Sequence, residues 1–330
     1  MPSRDKTVDI LRGIAMAVMV EANMAGPLLN EPHPSGLRLL GTLAAPLFVF
    51  LAGMSVQITA SRYSLSHYLR RGLELIAAGA LIDLAIWKIL PFTSYDVLYL
   101  IGLSLPLVFL AGKLKPSWRG ALIVGIFFAG TALRKFWGYS PEALEVLLGK
   151  GAAFPPARAV LKSGLADGWF PVFPWMGFAL LGFQMGEWCE STRSFSRAVP
   201  HLIRLSLAAG AAAVYFYPSP ALTREGYSEL FYPPTLGFCL LSAGGLLLLY
   251  RLIKKIEGLA PCEPLALFGK NSFFVYVLHL VVIEYALVPF FGREPLPVFL
   301  GLYAGMMGLL AIAAVLKAKV QASSWGKASP

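Results

Sequence analysis

Apolar runs of roughly twenty residues, parted by short breaks, recur from one end of this chain to the other. A run of that length crosses the hydrocarbon core of a bilayer as one helix. In lipid every backbone N–H and C=O needs a partner within the fold, so such runs are helical. Only 14% of the 330 residues are charged, against about a quarter in soluble domains, and no stretch is polar enough for a separate soluble domain. The expected fold is therefore an all-α polytopic membrane protein, one domain over 1–330, with about ten transmembrane helices. The spans fall near 10–29, 39–59, 72–90, 97–112, 119–137, 169–188, 201–217, 235–250, 266–290 and 296–316. Proline pairs such as Pro155-Pro156 and Pro233-Pro234 mark the breaks. The first run exceeds a signal-peptide core and lacks a small-residue cleavage pattern, so it is expected to stay as the first span.

The formal net charge of +10 would suggest a nucleic-acid partner for a soluble protein. Here the basic residues follow the membrane instead. Span ends and loops on the N-terminal side hold 19 of the 28 Lys and Arg, including Arg12, Arg62, Arg70, Arg71, Lys113, Lys115 and Arg119. The other side holds nine, five of them at or within one long loop after Arg134. Cytoplasmic loops concentrate Lys and Arg, which predicts both termini inside and the 138–168 loop outside. Within that loop PEALEVLLGK and PPARAVLKSGL have the pattern of short amphipathic helices, forming a membrane-surface cap or a lid over an outward cavity. Cys189, Cys239 and Cys262 are odd in number and lack metal-type spacing, so no disulfide frame or metal site is expected.

Of the four histidines, His67 and His201 lie in basic inner loops and read as interfacial residues. His279 lies inside the ninth span, where an ionisable group usually faces a cavity or a partner. His33 follows the outer end of the first span, between two prolines. That span carries Arg12 near its inner end and Asn23 eleven residues later, close to three helical turns and so on nearly the same face. Glu21 points to a different face and reads as a buried ion pair or hydrogen bond within the bundle, and Asp83 and Glu284 read the same way with no role assigned.

The segments VDILRGIAMAVMVEANM, PLFVFLAGMS, DVLYLIGLSL, WFPVFPWMGFALLGFQMGE and LFGKNSFFVYVLHL resemble, in order, the catalytic region of the heparan-α-glucosaminide N-acetyltransferases and their bacterial relatives. The resemblance implies a membrane-embedded acyltransferase that moves an acetyl group from cytoplasmic acetyl-CoA to an amino sugar or glycan on the outer side. It implies an integral protein of the bacterial cytoplasmic membrane, and a homodimer. By position it marks His33 as the base, Asn23 beside the reacting acyl group, and His279 as a further catalytic residue. Arg12 and Asn271 fall on the coenzyme side. Departures lie around Gly41-Thr42, where the family has an Asp, and at Met24-Ala25-Gly26-Pro27, where its glycine run is absent.

That chemistry suits the residue types. Transfer from a thioester to an amine or hydroxyl needs a base for the acceptor's proton, and histidine serves near neutral pH. An Asn N–H can meet the developing oxyanion, and an arginine can neutralise a coenzyme phosphate. Two other readings compete: an acyltransferase-3-type sugar O-acyltransferase and a transporter or flippase. The first places a histidine where this chain has Asn23. The second would show two interrupted helices in mirrored halves. Trp137, Tyr139, Trp169, Phe170, Trp175, Tyr227, Phe231 and Tyr232 could stack on a sugar or form the interfacial aromatic belt.

Overall fold

The computed structural model describes residues 5–138, 140, 144–149, 151–190, 194–216 and 234–326. In chain order these form α1 (Lys6–Leu28), α2 (Ser35–Gly41), α3 (Ala44–Thr59), α4 (Leu65–Ile82), α5 (Val97–Ala111), α6 (Pro116–Trp137) and α7 (Ala157–Lys162). There follow α8 (Val172–Glu190), α9 (Val199–Phe216), α10 (Leu236–Ile256), α11 (Cys262–Lys270), α12 (Ser272–Val282) and α13 (Leu296–Gly326). Wide π-type turns extend α4 over Asp83–Trp87 and α12 over Ile283–Leu287, and follow α7 over Ser163–Asp167. The described residues contain no strand, only isolated bridges between Leu29 and Glu294 and between Ile89 and Leu147.

Five helical stretches are long and apolar enough to cross a membrane: Ser35–Thr59, Pro116–Trp137, Ser196–Phe216, Leu236–Ile256 and Leu296–Gln321. A sixth arises if the bent pair Cys262–Lys270 and Ser272–Leu287 counts as one. The chain is an integral membrane protein of all-helical fold. Tyr139, Tyr227, Phe231 and Tyr232 lie outside the described residues.

Two expectations need correction. The ninth run, read as one span over 266–290, breaks at Asn271 into helices 85° apart. Asn271 has φ −108° and ψ 17°, its N–H bonds the Phe268 carbonyl at 3.0 Å, and its side-chain amide donates to the Leu267 carbonyl at 3.1 Å. Asparagine competes in this way for backbone groups and ends helices. The expected amphipathic helix at 141–150 is also absent from its described part, 144–149. Backbone groups beyond the left-handed Lys88 need partners there. Leu90 N–H donates to the Val146 carbonyl at 2.8 Å, and Leu148 N–H to the Lys88 carbonyl at 2.7 Å. The second expected segment does form α7.

The helices gather into two compact units. The first holds the described residues of Met1–Ala44 and Tyr250–Pro330. Asp5 starts α1, its carboxylate accepting from Thr7 N–H at 2.9 Å and satisfying one of the orphan donors of the first turn. The helix then packs on α11 at very close range. A Cβ at Gly13 would strike the Leu265 backbone, and one at Gly269 the Asp9 backbone, which is why small residues stand at this crossing. At the same end Thr7 Oγ1 donates to Glu257, and Lys254 pairs with it at 3.0 Å. Desolvation pushes the Glu257 carboxyl up, but these hydrogen bonds and charges outweigh it and hold it below its ordinary value.

The second unit holds the described residues of Ala45–Glu225 and Phe231–Leu249. Here α3 and α8 cross through Gly53 and Gly182, each facing the other helix's backbone. Arg119, read from the sequence only as an inner-side charge, is fully buried. Its Nε donates to Gln184 at 2.9 Å, one terminal nitrogen donates to the Gly112 carbonyl at 3.0 Å, and the other pairs with Glu187. A buried arginine with a carboxylate partner and satisfied donors ties α6 to α8. Asp83 is equally structural, accepting from Tyr99 Oη at 2.5 Å and Ser94 Oγ at 3.4 Å. Trp175 is a core residue at 2% exposure, edge-on to Phe170, so it belongs to neither a stacking platform nor a belt.

Candidate functional site

All five residues singled out in the sequence fall in the first unit. Asn23 lies on α1 little more than one turn before the helix ends, and His279 lies near the end of α12. The fold brings them together: Asn23 Nδ2 is 3.0 Å from His279 Nε2. The partners settle the proton positions. His279 Nδ1 is 3.1 Å from the Val275 carbonyl, which can only accept, so Nδ1 carries the hydrogen. Nε2 of the neutral ring is then the acceptor, and the Asn23 amide donates to it. His279 is completely buried, and Tyr276 meets its ring edge-on at 5.6 Å between centroids. This pairing was not foreseen from the sequence, where the two residues stand 256 positions apart.

His33 lies beyond the end of α1. The chain turns back there, and Asn30 N–H donates to the Glu294 carbonyl at 2.9 Å while Glu294 N–H donates to that of Leu28 at 2.9 Å. Arg293 adds an ion pair with Glu31 at 2.7 Å. The connection is thus held against the entry to α13, with His33 only 9% exposed. His33 Nε2 is 3.2 Å from the Leu29 carbonyl, so that nitrogen donates and Nδ1 is left as the basic atom. Leu29 is six residues beyond Asn23, or about 9 Å of helical rise. The Leu29 carbonyl that holds His33 therefore lies about 1.7 helical turns beyond Asn23 along the chain.

Arg12 lies eleven residues before Asn23, about 16 Å down α1. It is partly exposed and 3.4 Å from Asp9, which is 1% exposed. The guanidinium is thereby held against the helix near the α11 crossing. Asn271 is buried at the bend, where its amide is committed to Leu267. That gives it a clear structural task, shaping the turn that aims α12 and His279 at α1. Glu21 is buried at 2% exposure on α1. Among the described residues no group of three His, Cys, Asp or Glu could hold a metal ion.

One end of α1 thus presents a histidine held to the Leu29 carbonyl, and six residues before Leu29 in the chain an amide oriented by a second histidine. Such a set can remove a proton and donate a hydrogen bond to an oxyanion. The sequence profile of the heparan-alpha-glucosaminide N-acetyltransferase catalytic region matches residues 4–220, more than half of the chain. The matched stretch contains Arg12, Asn23 and His33 and ends before Asn271 and His279. A search among curated proteins gave no match.

Proposed function

The chain belongs to the heparan-alpha-glucosaminide N-acetyltransferase family, and on that premise we propose that it moves an acetyl group from cytoplasmic acetyl-CoA to an amino sugar or glycan beyond the membrane. The observation that carries this reading is the pairing of Asn23 with His279 below a His33 whose Nδ1 is left basic. The acceptor amine gives its proton to His33 Nδ1 as its lone pair attacks the thioester carbonyl carbon. Negative charge gathers on the carbonyl oxygen. An asparagine amide carries two hydrogens; one is donated to His279, and the second meets the oxyanion. Collapse restores the carbonyl, breaks the C–S bond and expels the coenzyme thiolate, which takes up the proton that His33 accepted.

In this reading His279 is a positioning residue that fixes the amide plane, and Arg12 meets a phosphate of the coenzyme nucleotide. The pantetheine arm then runs along α1 through the three turns between them. Asn271 acts on the coenzyme side through the bend it holds. The setting is a bacterial cytoplasmic membrane. A transporter would use broken helices in pairs, and the bend at Asn271 is the one such pair among the described residues.

The test is thiol release from acetyl-CoA by the purified protein with a panel of amino sugars. His33→Ala should lower turnover by about 10²- to 10⁴-fold while acetyl-CoA affinity stays near the parent's. Turnover within a few-fold of the parent removes His33 as the base. Absence of any acceptor-dependent thiol release by the parent rejects acetyl transfer to this class of acceptor.

A further inference from the structure

A separate cavity lies in the second unit, at the end of α6 where the long loop begins. Trp137, Arg158, Leu161, Lys162 and Leu165 line a space of about 370 Å³. Arg158 and Lys162 are four residues apart, as are Leu161 and Leu165, so the pairs run as neighbouring stripes, one basic and one apolar. Lys162 is 3.2 Å from Asp167 and 3.4 Å from Ser140 Oγ, which offsets most of its charge. Arg158 is exposed and makes no ion pair among the described residues. Among the described residues, Arg158 thus brings the cavity about one positive charge with no acidic partner. Beside it Leu161 stands 62% exposed and Trp137 36% exposed.

A soluble anion would leave those leucines and the indole in water. Cations whose stems run along apolar surface, with a tryptophan at a helix end, are the arrangement found at the headgroup level of a bilayer. A short basic and apolar helix lying in that plane reads the same way. We propose that this cavity is a binding site for an anionic phospholipid. Its phosphate lies between Arg158 and Lys162, and its glycerol and upper acyl chain rest on Leu161, Leu165 and Trp137. Arg158 supplies the discrimination: its positive charge favours a headgroup of net negative charge over a zwitterionic one, and among the described residues no carboxylate pairs with it. The proposal rests on the membrane setting and is independent of acetyl transfer, so either reading can fail without the other.

The test counts lipids retained by the full-length protein in native mass spectrometry, after exposure to equal amounts of phosphatidylglycerol and phosphatidylcholine. The parent should retain phosphatidylglycerol in preference. Arg158→Gln should cut that preference by at least about fivefold, and Arg158→Lys should keep most of it. An unchanged preference in Arg158→Gln overturns the proposal. Loss of the parent's preference in millimolar inorganic phosphate also overturns it, since the site would then take soluble anions. A second measurement does not depend on the Arg158 variants. Phosphatidylglycerol brominated near the top of its chains should quench a fluorescence component present in the parent and missing from Trp137→Phe. If parent and Trp137→Phe are quenched alike, no acyl chain rests there.

Discussion

His279 offers one lone pair to its surroundings, and Asn23 fills it. Replacing Asn23 by Ala leaves that nitrogen buried without a donor, a loss of about 1–3 kcal/mol in stability. If the amide also meets the oxyanion, turnover should fall by about 10²- to 10³-fold. His279→Ala removes only what orients the amide, so its turnover should fall less than that of Asn23→Ala, with acetyl-CoA affinity unchanged in both. Thermal unfolding and steady-state rates of the two variants separate stability from chemistry. A His279→Ala defect as deep as that of His33→Ala would move the base into the membrane and refute the assignment. The sequence showed each of these residues as an unusual polar group in an apolar run, and it showed His33 just past the first one. It could not show that Asn23 and His279 touch, because their contact depends on the direction of α12. That direction follows from the bend at Asn271, a backbone event with no period to read. Arg119 was hidden for a related reason: an arginine near a span end looks alike in sequence whether it faces water or Glu187.

The crossing of α1 and α11 is the element-level feature on which the site depends, since α11 leads through Asn271 into α12. Gly13 and Gly269 let the two backbones touch. Substituting Gly13 by Val places branched carbons where the Leu265 backbone now lies, and backbone cannot swing aside as a side-chain end can. Overpacking of this kind costs about 1–3 kcal/mol, occasionally more. Gly13→Val should therefore lower the unfolding temperature and, by moving α11, lower turnover as well. The same substitution at Gly26, where an added Cβ meets nothing within 4 Å, should leave the unfolding temperature nearly unchanged. Equal unfolding temperatures for the two variants would show that the crossing is not tight. Helix positions were legible because apolar length and proline breaks announce them. Their interruptions were less so: the 144–149 stretch has a helical pattern, yet its backbone pairs with residues 88–90. A tertiary demand for hydrogen-bond partners overrode the local preference.

At the scale of the whole chain, the distribution of charge makes the orientation testable. On the ten-span reading nineteen of the 28 Lys and Arg fall on one side, and short loops rich in these residues stay in the cytoplasm. The contrary group at Arg134, Lys135, Lys150, Arg158 and Lys162 sits at or within one long loop, and long loops weigh little in that rule. The orientation it predicts has both termini inside. The proposed donor is cytoplasmic acetyl-CoA, and this orientation would put the Arg12 end of α1 in the cytoplasm and the His33 end outside. Transfer across the membrane and the charge rule therefore demand the same arrangement, although they rest on different residues. A cysteine at Arg158, in a chain with Cys189, Cys239 and Cys262 replaced, should react with a membrane-impermeant thiol reagent added to intact cells. A cysteine at Arg62 in the same background should react only after the membrane is opened. Labelling of Arg62→Cys in intact cells with protection of Arg158→Cys would invert the protein. Acetyl-CoA would then have to enter from the His33 end, and the proposed direction of transfer would fall with the orientation.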